Sequence, residues 1–487
     1  MQFSSIEFSI FLPIIFILYW FVTNKNIKIQ NALLLVASYI FYGWWDWRFL
    51  SLIIFSSLID YNIGLALSRY DEQWKRKLLL QLSIAVNLGL LGFFKYFNFF
   101  AESFADAFSL FGKSLDISSL NIILPVGISF YTFQTLSYTI DIYQRKLAPT
   151  NDIISFFAFV SFFPQLVAGP IERARNLLPQ FNNRRTFSYE AAVDGLRQIL
   201  WGLFKKLVIA DNCANYVNNI FSNSSSYSGS TLLIGGVLFA FQIYGDFSGY
   251  SDIAIGTSRL FGFNLMKNFS FPYFSRDIGE FWRRWHISLS TWFRDYLYIP
   301  LGGSMVGMVK KIRNIFIIFI LSGFWHGANW TFIIWGILNA IYFLPLFLLK
   351  RNRRHTNTVA EGRLLPSIKE LIQIITTFSL TTFAWIFFRS DSVSEALKYL
   401  GGIFNSTLFT IPILDFKLLS VGAHIIYLII FLFLFVMIEW IQRDNEHALS
   451  SLEIYIPKIL RWTIYYGIVV IIFWFRGNQQ EFIYFQF

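Results

Sequence analysis

Residues 314–350 have the sequence NIFIIFILSGFWHGANWTFIIWGILNAIYFLPLFLLK. Two apolar runs, residues 315–325 and 330–349, flank a short segment that contains glycine and one histidine, His326. An α-helix needs about 20 mostly apolar residues to cross roughly 30 Å of hydrocarbon. The stretch therefore predicts two membrane helices joined near His326.

The composition of the whole chain agrees with a membrane protein. Of its 487 residues, 55% are hydrophobic and 14% are charged, whereas about a quarter of the residues in a soluble domain are charged. This excludes a soluble enzyme, and it also excludes a disordered chain, which needs low hydrophobicity. The single cysteine, Cys213, excludes intrachain disulfides and a cysteine-based metal cluster. We attribute the net charge of +11 to basic cytoplasmic loops rather than to nucleic-acid binding.

Apolar runs recur along the chain, and proline or glycine interrupts several of them. The interruptions near Pro125 and Pro164 predict re-entrant or broken helices, which are tolerated at membrane depth where protein surrounds them. We predict an all-α, multi-pass membrane protein of about ten to twelve helices, with residues 1–487 forming a single membrane domain. The predicted apolar segments are residues 8–22, 32–45, 49–67, 78–100, 122–143, 153–168, 232–263, 315–325, 330–349, 371–388, 424–440 and 462–475.

Basic clusters orient the predicted helices. The clusters within residues 69–77 and 350–354 should face the cytoplasm, because positive residues are enriched on that side. The first apolar run is followed, and not preceded, by Lys25 and Lys28, which differs from a secretory signal peptide. We therefore expect the N-terminus on the external side.

His326 is the first candidate for a catalytic group, because ionisable residues within apolar runs are costly and are most often functional. By helical rise it lies about 18 to 20 Å from the basic residues 310–313, which predicts a position near the middle of the membrane. A neutral imidazole can accept a proton at neutral pH. Gly323 and Gly327 would let a substrate approach closely. The alternative is a histidine that bonds a neighbouring helix only for packing.

His286 lies in the segment FWRRWHISLSTWFRDY, residues 281–296. Large apolar side chains recur there at helical spacing, opposite a face that carries His286 and arginines, which predicts one interfacial amphipathic helix. As a purely structural element, this helix would anchor the protein among lipid headgroups. As a functional element, it would form the polar wall of a cavity at the cytoplasmic mouth, where the phosphates of a nucleotide-like donor would bind Arg283, Arg284 and Arg294.

Two carboxylates, Asp246 and Asp252, lie six residues apart within an apolar run. An unpaired carboxylate is expensive there, so each needs a partner or a proton. We expect basic residues of the amphipathic helix to be the partners in a structural role, and a direct catalytic role is the alternative. The chain lacks GxGxxG, P-loop, HExxH and GxSxG patterns, so nothing in it supports nucleotide hydrolysis or the common hydrolase layouts.

These motifs resemble the membrane-bound O-acyltransferase (MBOAT) family, and within it the alginate O-acetyltransferase, AlgI-like branch. The resemblance spans nearly the whole chain. It rests on residues 281–303 and 323–330, and on three further motifs: FPQLVAGPI at 163–171, DFSGYSDIAIG at 246–256 and FIYFQF at 482–487.

The resemblance implies a ring of tilted transmembrane and re-entrant helices around a central tunnel. It implies that His326 is the essential catalytic histidine and that His286 is a second important histidine. It also implies that the protein lies in the bacterial cytoplasmic membrane, where it contacts lipids and does not bind nucleic acid. Acetyl-CoA would be the acetyl donor, with no permanently bound cofactor and no metal. An extracytoplasmic SGNH-type acetyltransferase would be the partner that completes transfer to a polysaccharide.

The chemistry assigns roles to these residues. A hydroxyl that attacks a thioester must lose its proton, and His326 can take it as a general base. A covalent acetyl-histidine is the other possibility, and the sequence leaves both open. Candidate donors to the oxyanion are the Asn329 amide, the Trp325 indole and backbone N–H groups near Gly327. Three other functions also stay open: D-alanyl transfer to teichoic acid, transport of a polysaccharide or lipid-linked precursor, and a scaffold for an extracellular acetyltransferase.

Overall fold

The computed structural model describes residues 1–109, 120, 122–412 and 422–483. None of these residues lies in a β-strand, so the predicted all-α class is confirmed. Within the described ranges, six helices are long and apolar enough to cross a membrane, and three shorter helices are also apolar. The chain is therefore a multi-pass membrane protein. The predicted arrangement as a ring around a tunnel, and the assignment of one membrane domain, stay predictions.

The described chain falls into two compact units, of which the first comprises Met1–Ala192 and Thr257–Met266. The predicted interruptions are confirmed. The run at 153–168 is divided into two short helices, the second of which contains Pro164. The run at 122–143 becomes helical only after Gly127, whose φ is +76°. The helices of this unit are α1 (Ile6–Ile17), α2 (Ile27–Asp46), α3 (Leu50–Arg69), α4 (Gln73–Leu91), α5 (Phe97–Ser109), α6 (Ile128–Tyr143), α7 (Ile153–Val160), α8 (Phe163–Leu166) and α9 (Ala174–Asn182).

A buried carboxylate, Asp60 of α3, joins membrane helices of the first unit. Ser83 Oγ donates a hydrogen bond to Asp60 Oδ1 at 2.6 Å, and Asn87 Nδ2 donates to Oδ2 at 2.8 Å, both from α4. Thr139 of α6 lies 3.0 Å from Ser83 through their hydroxyl oxygens. Because unbonded polar groups are costly within hydrocarbon, this cluster fixes the three helices against one another.

The second unit comprises Val193–Gly256 and Lys267–Phe487. The chain enters it through α10 (Tyr189–Leu203), and a π-helical segment, Phe204–Ala210, follows. A second π-helical segment is Arg294–Tyr298. The remaining helices are α11 (Asp211–Ser222), α12 (Gly229–Leu260), α13 (Ile278–Arg284), α14 (Ile287–Phe293), α15 (Met308–His326), α16 (Trp330–Leu348), α17 (Ile368–Arg389), α18 (Val393–Ile403), α19 (Gly422–Ile441), α20 (Leu452–Tyr455) and α21 (Lys458–Phe475).

The pair α15 and α16 matches the two helices predicted on either side of His326. Glycine allows their backbones to touch: a Cβ on Gly323 would lie 2.1 Å from the carbonyl oxygen of Phe332, and one on Gly336 would lie 2.3 Å from that of Phe319. Small residues permit this kind of close packing between membrane helices. The contact fixes the end of α15, where His326 lies.

The segment that follows α21 runs back into the core of the second unit. Phe482 is 1% exposed, and its ring centroid lies 4.5 Å from that of Tyr250 and 6.0 Å from that of Phe247. The backbone N–H of Ile483 donates a hydrogen bond to Asp246 Oδ2 at 2.7 Å. Residues near the C-terminal end of the described chain are therefore part of this core. The remainder of the FIYFQF motif, residues 484–487, lies outside the described residues.

Candidate active site

His326 is the last residue of α15 and is 3% exposed. Its imidazole lies among three aromatic rings, with centroid distances of 4.9 Å to Trp325, 5.2 Å to Trp335 and 5.2 Å to Phe388. Gly327 then leaves the helix in an extended conformation. The predicted catalytic histidine is thus held inside the protein at the turn between α15 and α16, and its predicted depth in the membrane stays a prediction.

The predicted amphipathic helix around His286 is wrong in one important respect, because the helix is broken at that residue. Helix α13 ends at Arg284, His286 has a left-handed backbone with φ of +45°, and α14 begins at Ile287. His286 is 0% exposed and does not face a membrane surface. The single left-handed residue redirects the chain and turns the imidazole into the core, so His286 is not part of one continuous polar stripe with the arginines.

The fold brings the two predicted histidines together. The ring centroids of His286 and His326 lie 6.4 Å apart at an interplanar angle of 55°. The Trp325 ring lies close to both, at 5.9 Å from His286 and 4.9 Å from His326. On its other side, His286 contacts Phe247 at 4.6 Å. Two imidazoles at this separation are close enough to act on the same small substrate group.

Sequence reasoning missed Asn268, which is the hydrogen-bond partner of His286. Its Oδ1 atom lies 3.1 Å from Nδ1 of His286. Asn268 is 0% exposed and belongs to the irregular segment between α12 and α13. No motif marked this residue, because an asparagine in a loop is ordinarily associated with a turn and not with a buried site.

Two of the three predicted donor-binding arginines are bonded to the protein itself. Arg283 donates hydrogen bonds to the carbonyl oxygens of Asn352 at 2.6 Å and His355 at 2.7 Å. Arg284 forms a 3.0 Å ion pair with Glu280, which is 1% exposed. The Arg283 contacts fasten the loop after α16 to α13, and the Arg284 ion pair lies within α13. A direct role of both arginines in donor binding stays a prediction that this geometry does not favour.

Arg294 differs from the other two, because its side chain is 58% exposed and lies at a cavity. It pairs with the neighbouring Asp295 at 2.7 Å. The cavity has a volume of about 470 Å³, which is within the usual range for ligand sites. Half of its lining residues are aromatic or aliphatic, and the polar ones are Ser290, Arg294, Tyr298, Ser304, Ser322, Asn352 and Arg353.

One lining residue of the cavity belongs to the same helix as His326. Ser322 lines it and lies four residues before His326 on α15, which is about one helical turn. Arg294 and Arg353 provide positive charge, and Ile318 and Phe319 provide apolar wall. Such a cavity suits an elongated ligand with an anionic end and an apolar arm. Sequence reasoning predicted Arg294 at this position, but it did not find Arg353 or Ser322.

We expect Arg294→Gln to raise the KM for an anionic acyl donor by about 3- to 10-fold, with kcat nearly unchanged. Loss of one charge-assisted contact has about this effect, and the exposure of Arg294 places it at the lower end of the range. The matched control is Arg48→Gln, because Arg48 is also exposed and pairs with a nearby aspartate, Asp46, at 2.6 Å; it should leave the donor KM within twofold. The measurement is steady-state kinetics in detergent micelles. Equal KM values for Arg294→Gln and the wild type would contradict the assignment.

The carboxylates Asp246 and Asp252 are paired as predicted, but their predicted partners are wrong. Asp246 binds Lys206 at 2.7 Å, and Asp252 binds Lys205 at 2.6 Å. Both lysines come from the π-helical segment Phe204–Ala210 and not from the arginine-rich segment. Lys206 also binds a further acid, Asp211, at 2.9 Å. These contacts favour the structural role for both carboxylates.

The remaining supporting residues have different positions. Asn329 caps α16, with Oδ1 accepting a hydrogen bond from the Thr331 N–H at 3.0 Å and Nδ2 donating to the Asp391 carbonyl at 2.8 Å. Its amide therefore holds the turn, which does not favour the predicted oxyanion contact. Trp325 is 4% exposed and lies beside both imidazoles, and the role of its indole as an oxyanion donor stays a prediction.

The predicted open space beside Gly323 and Gly327 is also wrong. A Cβ on Gly327 would lie 2.1 Å from the Phe332 ring, just as one on Gly323 would meet the Phe332 backbone. Both glycines are needed for close packing of α15 on α16, and not for the approach of a substrate. Among the residues that the structure describes, no group of three His, Cys, Asp or Glu side chains is placed to hold a metal ion.

Two buried imidazoles near a cavity, within a bundle of membrane helices, are typical of a membrane-embedded enzyme that uses acid–base chemistry. The model of the membrane-bound O-acyltransferase family matches residues 39–388, a range that contains both histidines. The chain therefore belongs to this family and is an O-acyltransferase. This membership favours an enzyme over the transporter and scaffold alternatives.

Curated relatives agree with this membership. The chain is 39% identical over 408 residues to a protein named probable alginate O-acetylase AlgI from Pseudomonas aeruginosa, covering 82% of this chain and 74% of the relative. It is 37% identical over 421 residues to a peptidoglycan O-acetyltransferase of Helicobacter pylori, covering 81% and 77%. It is 28% identical over 289 residues to a teichoic acid D-alanyltransferase of Bacillus subtilis, covering 55% and 69%.

Proposed function

We propose that this protein takes acetyl groups from cytoplasmic acetyl-CoA and delivers them across a bacterial cytoplasmic membrane toward the hydroxyls of an extracytoplasmic polysaccharide. The observation that carries the proposal is the buried histidine pair, with imidazole centroids 6.4 Å apart, in a chain of the O-acyltransferase family. Alginate and peptidoglycan, named in two of the relatives, are both polysaccharides, which supports this class of acceptor.

The proposed donor site is the cavity that Ser322 lines. The phosphates of coenzyme A would stay at the rim with Arg294 and Arg353, since arginine binds phosphate through paired hydrogen bonds. The uncharged arm would extend along the apolar wall formed by Ile318 and Phe319. This arrangement would bring the thioester within about one helical turn of His326.

The proposed step is acyl transfer with His326 as the general base. The acceptor hydroxyl gives its proton to the imidazole as its oxygen bonds to the acetyl carbonyl carbon. The resulting oxyanion is stabilised by N–H donors, for which the Trp325 indole is the candidate in this site. The carbon–sulfur bond then breaks, and the imidazolium returns the proton to the leaving thiolate. The products are the acetyl ester and free coenzyme A.

Final delivery of the acetyl group is proposed to need a partner. An extracytoplasmic SGNH-type acetyltransferase would accept the acetyl group at the outer side and pass it to the polysaccharide. The support for this partner is the resemblance to the alginate O-acetyltransferase branch, together with the 39% identity to an alginate O-acetylase.

D-alanyl transfer to teichoic acid is the second candidate function. It is favoured by the similarity to the Bacillus subtilis teichoic acid D-alanyltransferase, which extends over 55% of this chain. The O-acetylases match the chain over a larger share and at higher identity, so we rank acetyl transfer first.

The test is reconstitution of the purified protein in proteoliposomes with radiolabelled acetyl-CoA outside and an oligosaccharide acceptor with a purified SGNH-type partner inside. We expect release of free coenzyme A outside and label in alkali-sensitive esters of the internal oligosaccharide. Vesicles without protein control for leakage. Coenzyme A release without any labelled ester, or transfer only from a D-alanyl thioester, would contradict acetyl delivery to polysaccharide.

A further inference from the structure

A buried cluster of hydrogen bonds surrounds one nitrogen of the His286 imidazole. Asn268 Oδ1 lies 3.1 Å from His286 Nδ1, and the same oxygen accepts hydrogen bonds from the Ser288 hydroxyl at 2.8 Å and the Ser288 N–H at 3.3 Å. Asn268, His286 and Ser288 are each 0% exposed, so water does not compete for these contacts. The geometry within this cluster determines where the imidazole carries its proton.

The orientation of the Asn268 amide follows from the backbone. The Ser288 N–H can only donate, so the side-chain atom that faces it must be an oxygen and not the amide nitrogen. The other end of the amide agrees, because Nδ2 donates to the Ser251 hydroxyl at 3.1 Å. The two ends of Asn268 therefore have different and complementary partners, and a flipped amide would place its donors against a donor.

The tautomer of His286 follows from the orientation of the amide. Asn268 Oδ1 is an acceptor, so Nδ1 of the neutral imidazole must carry the hydrogen that joins them. The Ser288 hydroxyl also lies 3.4 Å from Nδ1, but its single hydrogen serves the shorter bond to Asn268. A neutral imidazole has one N–H, so Nε2 of His286 carries a lone pair.

The backbone holds the same segment in place. The Ile287 N–H donates to the Asn268 carbonyl oxygen at 2.9 Å, so both the main chain and the side chain of Asn268 bind residues 286–288. This contact lies directly beside the left-handed residue His286, with its φ of +45°. A non-glycine residue keeps such a conformation only when its surroundings fix it.

We propose that Asn268 is a positioning residue that fixes His286 in the Nδ1–H tautomer, so that Nε2 accepts a hydrogen bond from a hydroxyl of the acyl acceptor. This proposal rests on the proposed function and deepens it. His326 would take the proton of the attacking hydroxyl, while His286 would hold the acceptor in place. In this tautomer, neutral His286 has no hydrogen on Nε2, so that atom is not a donor to the oxyanion.

The first test reads the tautomer directly and needs no activity. Magic-angle-spinning ¹⁵N NMR of histidine-labelled protein in lipid distinguishes protonated from unprotonated ring nitrogens, and comparison with His286→Gln assigns the signals. We expect Nδ1 protonated and Nε2 unprotonated in the wild type, the same pattern in Asn268→Asp, and a mixture in Asn268→Leu. A wild-type His286 protonated at Nε2 would overturn the proposal.

The second test compares two substitutions at Asn268 kinetically. In the Asn268→Asp variant, a carboxylate oxygen can still accept the hydrogen bond from Nδ1–H of His286. This variant should therefore keep activity within about tenfold of the wild type. Asn268→Leu should lower kcat by at least about 100-fold, with the acetyl-CoA KM within threefold, because a misoriented imidazole loses much of its effect. The matched control is Asn339→Leu, which removes a buried amide that donates to the Trp335 carbonyl of its own helix, α16, and should stay near wild-type activity.

The outcomes separate this proposal from the proposed function. Equal losses in Asn268→Asp and Asn268→Leu, with an unchanged tautomer signal, would show a packing role and overturn the proposal. Absence of acyl transfer in the wild type would instead contradict the proposed function, while the NMR result would still decide the tautomer. If Asn268→Leu does not fold, the NMR spectra of the wild type and of Asn268→Asp still decide the tautomer of His286.

Discussion

Substituting His326 by glutamine is expected to lower acyl transfer by about 10²- to 10⁴-fold without loss of the fold. Removal of a general base has an effect of this size. Glutamine occupies a similar volume and keeps a polar group at the end of α15, so the packing of the imidazole site on Trp335 and Phe388 should largely persist. The measurement is the release of coenzyme A from acetyl-CoA by purified protein, together with the elution profile of the protein in size-exclusion chromatography.

The matched control for this substitution is His355→Gln. His355 lies in the loop after α16, 3.9 Å from Asp277. Burial, and then the nearby Arg276 guanidinium, lower the pKa of His355 below its usual value of 6.5, so this histidine is neutral at pH 7. The control thus also replaces one neutral imidazole by glutamine, and it should keep at least half of the activity. An active His326→Gln variant would contradict the assignment of His326 as the base.

Lys206→Met is expected to destabilise the protein by about 3 to 5 kcal/mol. Lys206 is 2% exposed and binds both Asp246 at 2.7 Å and Asp211 at 2.9 Å, so its removal leaves two buried carboxylates without their cation. Removing one member of a buried ion pair lowers the free energy of unfolding by about this amount, because the remaining charge is uncompensated. Methionine preserves the length of the side chain, so the effect reports charge more than packing. The measurement is urea or thermal unfolding in detergent, followed by circular dichroism.

Two further variants test the cause of this loss. Lys206→Met combined with Asp246→Asn should recover part of the stability, since one of the two uncompensated charges is then absent. Lys77→Met, at an exposed position of α4, should change the free energy of unfolding by less than about 0.5 kcal/mol. If Lys206→Met unfolds at the same urea concentration or temperature as the wild type, the ion pairs do not stabilise the core of the second unit.

The helical framework could be predicted from the sequence where the signal is local. The apolar run at residues 330–349 corresponds to α16 and the run at 232–263 corresponds to α12, because hydrocarbon requires long apolar segments. The shorter run at 315–325 forms the second part of α15. His326 was also predictable, since an ionisable residue in such a run is conspicuous. The sequence also showed that residues 281–296 are rich in basic and aromatic side chains, but it did not show that the helix is broken within them.

The parts that could not be predicted depend on contacts between distant residues or on an unusual backbone. Apolar spacing continues through residues 281–296, so nothing in it reveals the left-handed residue at His286. The partner of Asp246, Lys206, lies 40 positions earlier in the chain, and charge alone did not distinguish it from the arginines of α13. The sequence shows a glycine at position 327, but only the structure shows that the Phe332 ring occupies the space beside it.

The position of Phe482 and Ile483 has a consequence for biosynthesis. A chain that has been translated only as far as the end of α21 lacks the N–H that binds Asp246 and the ring that packs beside Phe247, which in turn contacts His286. Such a chain contains all the membrane helices that the structure describes, while this core is still incomplete. Ribosome-bound intermediates and prematurely terminated chains therefore do not contain a finished core around His286, and a reporter protein fused directly after this segment would be attached next to it.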